Sequence, residues 1–325
     1  MTDIATATAS EANVSDSWPR VYNYGSINID YVYRVPHLVR PGETLSSRSF
    51  QRVLGGKGAN QSLALARAGG DVSHWGRLGQ SDEWALEPLD QAGVDTTQIE
   101  LTAEPSGHAL IQVDDDAENA IILFPGANHG FSEAHHHALL EATRVDSWLL
   151  MQNECNDPGR IIRFASAKGL SIAFNPAPLS AEVASLPLAL CRILFLNRGE
   201  AAALVERDET SDVDQLLGTL TERFPDVEIV LTLGRDGVRF AHGETRLRAG
   251  AHEVDACDTT AAGDTFIGYF MAARQRDETV EQAIRLASAA SALCVQQSGA
   301  APSIPEAADV EAALRDLPAL AVSAN

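Results

Sequence analysis

The segment Asp258-Thr-Thr-Ala-Ala-Gly-Asp264-Thr-Phe sets two carboxylates around the smallest side chains available. Thr, Ala and Gly bury little, so packing alone does not account for them. The apolar run from Thr265 onward reads as a helix, which puts Ala261, Ala262 and Gly263 at its N-terminal end. A helix start carrying only small side chains leaves its backbone N–H groups bare, and bare donors plus the helix dipole bind anions. Asp264 then has two readings. It is an acidic first-turn residue that complements the dipole, or a base that takes a proton from a hydroxyl attacking a bound phosphoryl group.

A second cluster, Gly55-Gly-Lys-Gly-Ala-Asn-Gln, runs straight into the helical stretch Ser62-Leu-Ala-Leu-Ala-Arg-Ala. It matches neither the G-x-x-x-x-G-K-[ST] phosphate loop nor the G-x-G-x-x-G dinucleotide turn. Either it is a tight strand-to-helix turn, or something polar approaches this backbone closely. Lys57 within it and Lys168 are the only lysines in the chain. Upstream, Gly25-Ser-Ile-Asn-Ile-Asp closes the first strand with Asn28 and Asp30, side chains suited to hydrogen-bonding neighbouring sugar hydroxyls. As a strand end, the pair needs the following chain to turn inward before both reach one ligand. Glu154 follows the strand ending Leu150-Met-Gln-Asn, and Asn175-Pro-Ala-Pro follows the next one. Asn197 and Glu200, three apart, are expected to share one helical face and could hold hydrated magnesium near phosphates. Thr232-Leu-Gly-Arg-Asp-Gly offers a strand-end glycine turn that could admit a nucleotide.

The elements that position these residues alternate. Strands are expected over 21–27, 145–151, 171–174, 193–196 and 228–233, and helices over 58–68, 158–168 and 280–296. That order predicts an α/β fold with a mainly parallel central sheet flanked by helices. Two stretches, 30–54 and 98–124, alternate with period two and carry a hairpin turn at Val113-Asp-Asp-Asp-Ala-Glu-Asn, so they are expected to form a small antiparallel β lid. Exposed edges and apolar faces on such a lid suit pairing of two copies.

At 325 residues the chain is long enough for a full core, and no apolar run approaches the roughly 20 residues of a membrane span. A net charge of −21 repels phosphate backbones and argues against nucleic acid as a partner. Cys155, Cys191, Cys257 and Cys294 are scattered without a C-x-x-C pair and are expected to be reduced thiols. Residues 1–18 lack a basic start and an apolar stretch, so they read as a disordered extension of a cytoplasmic protein; 319–325 reads as a tail. His135-His-His points in three directions on a helix, which speaks against a metal site.

Taken together, G-S-I-N-x-D, G-G-K-G-A-N-Q, N-P-A-P, N-x-x-E, T-L-G-x-x-G and D-T-x-A-A-G-D-T-F, in that order, resemble the ribokinase-like (PfkB-type) carbohydrate kinases from about Val21 to Pro305. The resemblance implies one kinase unit over 19–318 that phosphorylates D-ribose at O5 with ATP, the alternatives being a related kinase for deoxyribose, another sugar or a nucleoside, or a non-catalytic sugar-binding regulator. Asp264 would be the catalytic base, and Ala261, Ala262 and Gly263 the anion hole. Asn28, Asp30, Gly56, Lys57, Gly58, Asn60 and Glu154 would hold the sugar. Asn197, Thr232, Gly234, Arg235, Gly237, Gly263 and Ser288 would line the ATP site, with Glu200 ordering Mg2+ through water. A K+ activator would sit among Asp258, Thr260, Cys294, Gln297, Gly299 and Ser303, and the assembly would be a homodimer through the lid. A base attached to the sugar is expected to collide with that lid. Two positions depart from the pattern: Gly79-Gln-Ser-Asp-Glu-Trp replaces G-D-D-x-x-G, and Ser288 stands where Asn or His is usual.

Overall fold

The computed structural model describes residues 18–116 and 118–324, so the expected N-terminal extension lies outside the described residues apart from Trp18. The chain opens with β1 (Val21–Tyr24), leaves for a second sheet with β2 (Asn28–Arg34) and β3 (Ser49–Gly55), and returns through α1 (Lys57–Arg67) to β4 (Val72–Gly79). A short α2 (Glu87–Gln91) leads to β5 (Ile99–Thr102), after which β6 (Gly107–Val113) and β7 (Asn119–Phe124) complete the second sheet. Next come α3 (Glu133–Glu141), β8 (Trp148–Gln152), α4 (Pro158–Ala167), β9 (Ser171–Asn175) and β10 (Ile193–Asn197). They are followed by α5 (Arg198–Leu204), α6 (Val213–Arg223), β11 (Glu228–Thr232), β12 (Val238–His242) and β13 (Thr245–Ala249). The chain finishes with α7 (Ala262–Gln275), α8 (Val280–Cys294), α9 (Ala307–Asp316) and β14 (Ser323–Ala324).

The large sheet runs β14-β13-β12-β11-β10-β9-β8-β1-β4-β5. It is parallel from β11 to β5 and antiparallel beyond β11. Its strands read as continuous apolar runs because both faces are covered. Ile193 and Phe195 of β10 join one core with α1, α7 and α8, whereas Leu194 and Leu196 join the other with α4 and α6. Strand order reverses beside β1, whose neighbours are β4 and β8, and the crevice at the carboxyl ends of such strands is where α/β sheets bind ligands.

The lid is the sheet β3-β2-β6-β7. Its hairpins β2–β3 and β6–β7 are antiparallel as expected, but the two are joined by a parallel β2–β6 pair. The boundary expected at Gln98 is also corrected: β5 pairs in parallel with β4 at the edge of the large sheet, and only Gly107 onward enters the lid. Period two cannot tell which sheet a strand joins. Similarly, 319–325 is not merely a tail, since Leu247 and Arg248 of β13 pair with Ala324 and Ser323 and so cover that strand's open edge.

Candidate active site

Asn28 and Asp30 do not end the first strand. The chain breaks at Gly25–Ile27 and starts β2 in the lid sheet, where residues two apart point to the same face without any further turn. Both are buried. Space for the Asp30 carboxylate exists because Gly55, the β3 partner of Asn28 and so diagonal to Asp30, lacks a side chain; a Cβ there would collide with it. Asn28 is oriented by Asn128, absent from the residues singled out above, whose Nδ2 donates to Asn28 Oδ1 at 2.8 Å and whose Oδ1 accepts from Ile27 N at 3.0 Å. Asn28 Oδ1 being engaged, its amide nitrogen is left to face a ligand.

The glycine cluster forms the turn into α1. Gly56 has φ +91°, a left-handed backbone that L side chains rarely adopt, and Gly58 packs backbone to backbone against Gly25. This contact draws the start of α1 onto the end of β1, and Glu154 closes it: Oε2 accepts from Ser26 Oγ and, at 3.1 Å, from Lys57 N. Lys57, the first residue of α1, lies among acids. The Asp264 carboxylate foremost, then Glu154 and Glu200, hold its ammonium above the ordinary value against the opposing effect of burial. Burial pushes Glu154 and Glu200 up. Burial, with the nearby Glu154 and Asp264 charges, pushes Asp30 up to about 7.

Asp264 is buried in the first turn of α7. Ahead of it Ala261 takes a left-handed conformation (φ 60°) and no side chain caps the helix, while the space above Gly263 is open. Of the expected anion hole Ala261, Ala262 and Gly263, Ala262 N is taken by Thr259 O at 3.3 Å, while the small side chains leave the N–H groups of Gly263 and Asp264 uncovered, as an anion requires. Ser291 of α8, another residue not singled out, braces the turn by donating to Ala262 O at 2.7 Å. Asn60, expected to hold sugar, donates from Nδ2 to Asp264 Oδ2 at 3.0 Å while its Oδ1 has no protein partner among the described residues, and the adjacent Gln61 donates to Asp264 Oδ1 at 2.9 Å. α1 and α7 approach closely enough for this because Gly268 sits against Ala64 and Leu65.

Asn197 and Glu200 do not share a helical face. Asn197 is the N-cap of α5 and Glu200 its third residue, paired as a capping box in which Asn197 Oδ1 accepts from Glu200 N at 2.8 Å and Glu200 Oε2 from Asn197 N at 2.9 Å. Each Glu200 oxygen keeps a lone pair, which suits contact to a metal's water more than direct ligation. Thr232 ends β11, and the turn Gly234–Asp236 follows, with Arg235 exposed. Gly237, at φ +85°, lies where a Cβ would meet the backbone of Ala249 and Gly250. Ser288 is half-buried on α8.

Of the residues expected to hold K+, Asp258, Thr260, Cys294, Gly299 and Ser303 are brought together. Asp258 Oδ1 accepts from Thr260 N at 2.9 Å and Thr260 Oγ1 at 2.6 Å, and Oδ2 accepts from Gly299 N at 2.9 Å. Burial opposes ionisation, yet these bonds hold the Asp258 carboxyl below its ordinary value. Cys294 Sγ lies 3.2 Å from Ser303 Oγ and 3.7 Å from Thr260 O. The carboxylate, hydroxyl and carbonyl oxygens of the two loops suit a hard monovalent cation; the sulfur does not. Gln297 is exposed at the rim.

A cavity of about 700 Å³ borders Asn28 and Glu154 and extends under Leu123 to Pro178 and Leu186. The histidines diverge: His135 packs on Phe131, His136 is buried with Nε2 3.1 Å from the Tyr24 hydroxyl, and His137 lies against Phe164.

A carboxylate held beneath an open helix start, with Asp30 of the lid and Glu154 near enough for the three charges to act on one another at the carboxyl edge of a parallel sheet, is the arrangement of a small-molecule phosphotransferase. The chain belongs to the pfkB family of carbohydrate kinases, whose sequence model matches residues 19–307. It is 36% identical over 291 residues to ribokinase of Haemophilus influenzae, covering 86% of this chain and 94% of that protein. Ribokinase of Cryptococcus neoformans var. grubii in complex with ADP superposes with a TM-score of 0.78 at 32% identity, over 90% of this chain and 99% of the other. Arabidopsis thaliana ribokinase complexed with ribose and ATP gives a TM-score of 0.80 at 27% identity, over 92% and 99%. No helix among the described residues is long and apolar enough to cross a membrane.

Proposed function

We propose that this chain transfers the γ-phosphoryl group of ATP to the 5-hydroxyl of D-ribose, giving ADP and D-ribose 5-phosphate. The observation that carries the reading is the convergence of Asp264, in the first turn of α7, with α1 and with the lid face that presents Asn28 and Asp30. Asn28, Asp30 and Glu154 hold the sugar hydroxyls and leave O5 facing Asp264. Asp264 takes the O5 proton as the O5–P bond forms, and the P–O bond to ADP breaks with its electron pair on ADP. The N–H groups of Gly263 and Asp264 meet the negative charge on the transferring group, and Lys57 offsets the crowding of carboxylates.

ATP lies along Asn197, Thr232, Gly234, Arg235, Gly237 and Ser288. Glu200 would order Mg2+ through water, which supplies charge neutralisation on the phosphates. K+ would sit between the loops holding Asp258 and Gly299, keeping the α7 turn in shape. Residues 19–318 act as one kinase unit. Two copies pair through the lid, whose Phe50, Leu110, Ile121, Ile122, Leu123 and Phe124 are exposed.

The test is ADP release over a panel of D-ribose, 2-deoxyribose, fructose and adenosine, with ATP, magnesium and potassium. Ribose is expected first. A 2-deoxy sugar leaves an acceptor of the buried pocket unpaired and should lose roughly tenfold to a hundredfold in kcat/KM. Fructose or adenosine ahead of ribose would move the chain to another branch of the family. In the same assay Asp264→Asn should lower kcat at least about a hundredfold with sugar affinity nearly unchanged; near-normal turnover would remove Asp264 as the base.

A further inference from the structure

Behind Asp264 stands a train of buried amides that meets the expected sugar site only at the backbone carbonyl of Gly58 and at Asp264 itself, and bonds to none of the expected nucleotide-site residues. Gln61 Nε2 donates to Asp264 Oδ1 at 2.9 Å, and Gln61 Oε1 accepts from Gln152 Nε2 at 2.7 Å. Gln152 Nε2 also donates to Asn23 Oδ1 at 3.0 Å, and Asn23 Nδ2 donates to Gly58 O at 2.8 Å. Asn23 and Gln61 are fully buried and Gln152 is 1% exposed. Buried amides in apolar strands and at a helix–helix contact are costly unless their bonds are made, so a packing role alone does not call for them.

What distinguishes the train is its direction. A side-chain amide can present either its oxygen or its nitrogen, and the base needs the nitrogen. A backbone carbonyl only accepts, so Gly58 O requires the nitrogen of Asn23 and turns its oxygen toward Gln152. Gln152 must then show its nitrogen, which requires the oxygen of Gln61 and leaves the Gln61 nitrogen on Asp264. A second carbonyl gives the same answer from the other side: Phe195 O accepts from Asn175 Nδ2 at 3.0 Å, leaving Asn175 Oδ1 at 3.4 Å from Gln61 Nε2. A third anchor lies behind Asn23, whose Nδ2 also donates to Ser62 Oγ at 2.8 Å; Ser62 Oγ is 2.8 Å from His74 Nδ1, and His74 Nε2 lies 3.2 Å from Gly25 O. Gly25 O needs the proton on Nε2, which makes Nδ1 an acceptor for the serine hydroxyl and leaves the serine oxygen to accept from Asn23.

We infer that Gln61 is a positioning residue for the phosphoryl-transfer base, with its donor orientation dictated by Gln152 and Asn23, so that the sugar-loop backbone at Gly58 and the carboxylate of Asp264 are aligned as one rigid unit. The inference rests on Asp264 as the base. It assigns to Gln61, Gln152 and Asn23 an effect on the rate with no contact to either substrate.

The test uses Gln61→Met and Gln152→Met, matched in length but without amide, their double variant, and Asp264→Asn, in steady-state kinetics with D-ribose and ATP. Rates are expressed per folded enzyme from thermal denaturation. Gln61→Met should lower kcat about tenfold to a hundredfold, the scale of one lost hydrogen bond to a charged group, while KM for ribose changes less than about threefold. Gln152→Met should lower kcat in the wild-type background and have little further effect beside Gln61→Met, because it acts only through that residue. Gln61→Glu, equal in shape but opposing Asp264 with an acceptor, should fall below Gln61→Met. A kcat within about twofold of wild type for Gln61→Met, or losses that multiply in the double variant, would overturn the inference while Asp264→Asn stays inactive. Activity in Asp264→Asn would instead remove the base assignment itself. If Gln61→Met does not fold, Gln152→Met decides: a kcat loss at constant ribose KM supports the relay, and an unchanged kcat refutes it.

Discussion

Asp30 makes the sharpest pH prediction. Its carboxyl, ordinarily near 3.8, is pushed to about 7, first by burial and then by the charges of Glu154 and Asp264. Burial withholds water from the carboxylate, and the two acids repel it. At about 1.4 kcal/mol per pH unit, ionising Asp30 in the folded protein costs on the order of 4 kcal/mol more than in the unfolded chain. The sign follows from the direction of the shift. This group's favourable contribution to folding is fully present below about 3.8 and is lost as pH rises through about 7. Sugar binding asks for the opposite form, since only the carboxylate accepts from two hydroxyls at once. The kcat/KM for D-ribose, measured at saturating ATP, should therefore rise with pH on a one-proton limb centred near 7, standing at about a tenth of its plateau one unit below. Asp30→Asn should remove that limb, lower the plateau, and raise the melting temperature of the sugar-free protein at alkaline pH. Ionisation of ATP affects both proteins alike, so the ratio of the two profiles isolates Asp30. A ratio that stays level from about pH 6 to about pH 8 would refute the reasoning.

Three further outcomes follow from the same geometry. Potassium should raise kcat more than sodium, and more than a bulky organic cation at equal ionic strength; equal rates would empty the Asp258–Gly299 loops of that role. Gly268→Val should push α7 off Ala64 and Leu65, cost about 1–3 kcal/mol of stability in chemical denaturation, and lower kcat by displacing Asp264 from Asn60 and Gln61. An unaltered kcat in the folded fraction would show that the helix spacing does not set the base. Light scattering at micromolar concentration should give twice the chain mass, and introducing a charge through Ile122→Asp on the exposed lid face should return the monomer; a wild-type monomer would contradict pairing through the lid.

Much of the site was legible because its chemistry depends on short segments. Small residues ahead of Asp264 announced a bare helix start, and α7 starts there with no side-chain cap. The glycines at 55–58 announced a close backbone approach, and Gly58 lies against Gly25 with Asp30 in the space left by Gly55. The second tier was harder to see. Asn128, Gln152 and Ser291 are ordinary polar residues in sequence, and the one local signal was a polar side chain in an apolar strand, as with Asn23 in Val21-Tyr-Asn-Tyr and Gln152 at the end of Trp148-Leu-Leu-Met. Their roles arise from contacts between residues separated by about 30 to 130 positions, which no window along the chain contains.

Local sequence determined the alternation of strands and helices, the apolar runs that demand two covered faces, the left-handed turn at Gly56, and the candidate base. Those properties depend on backbone sterics and on the partition of apolar side chains, which act within a few residues. Tertiary structure decided that Ile99–Thr102 joins the large sheet, that β2 and β6 run parallel, that Asn60 donates to Asp264, and that Asn197 and Glu200 cap α5. It also set which atom of each buried amide faces Asp264. Strand partners, amide orientation and the ionisation of Asp30 depend on donors, acceptors and charges that meet only once both sheets and α1, α7 and α8 have packed, and the low dielectric that makes them decisive exists only in that packed interior.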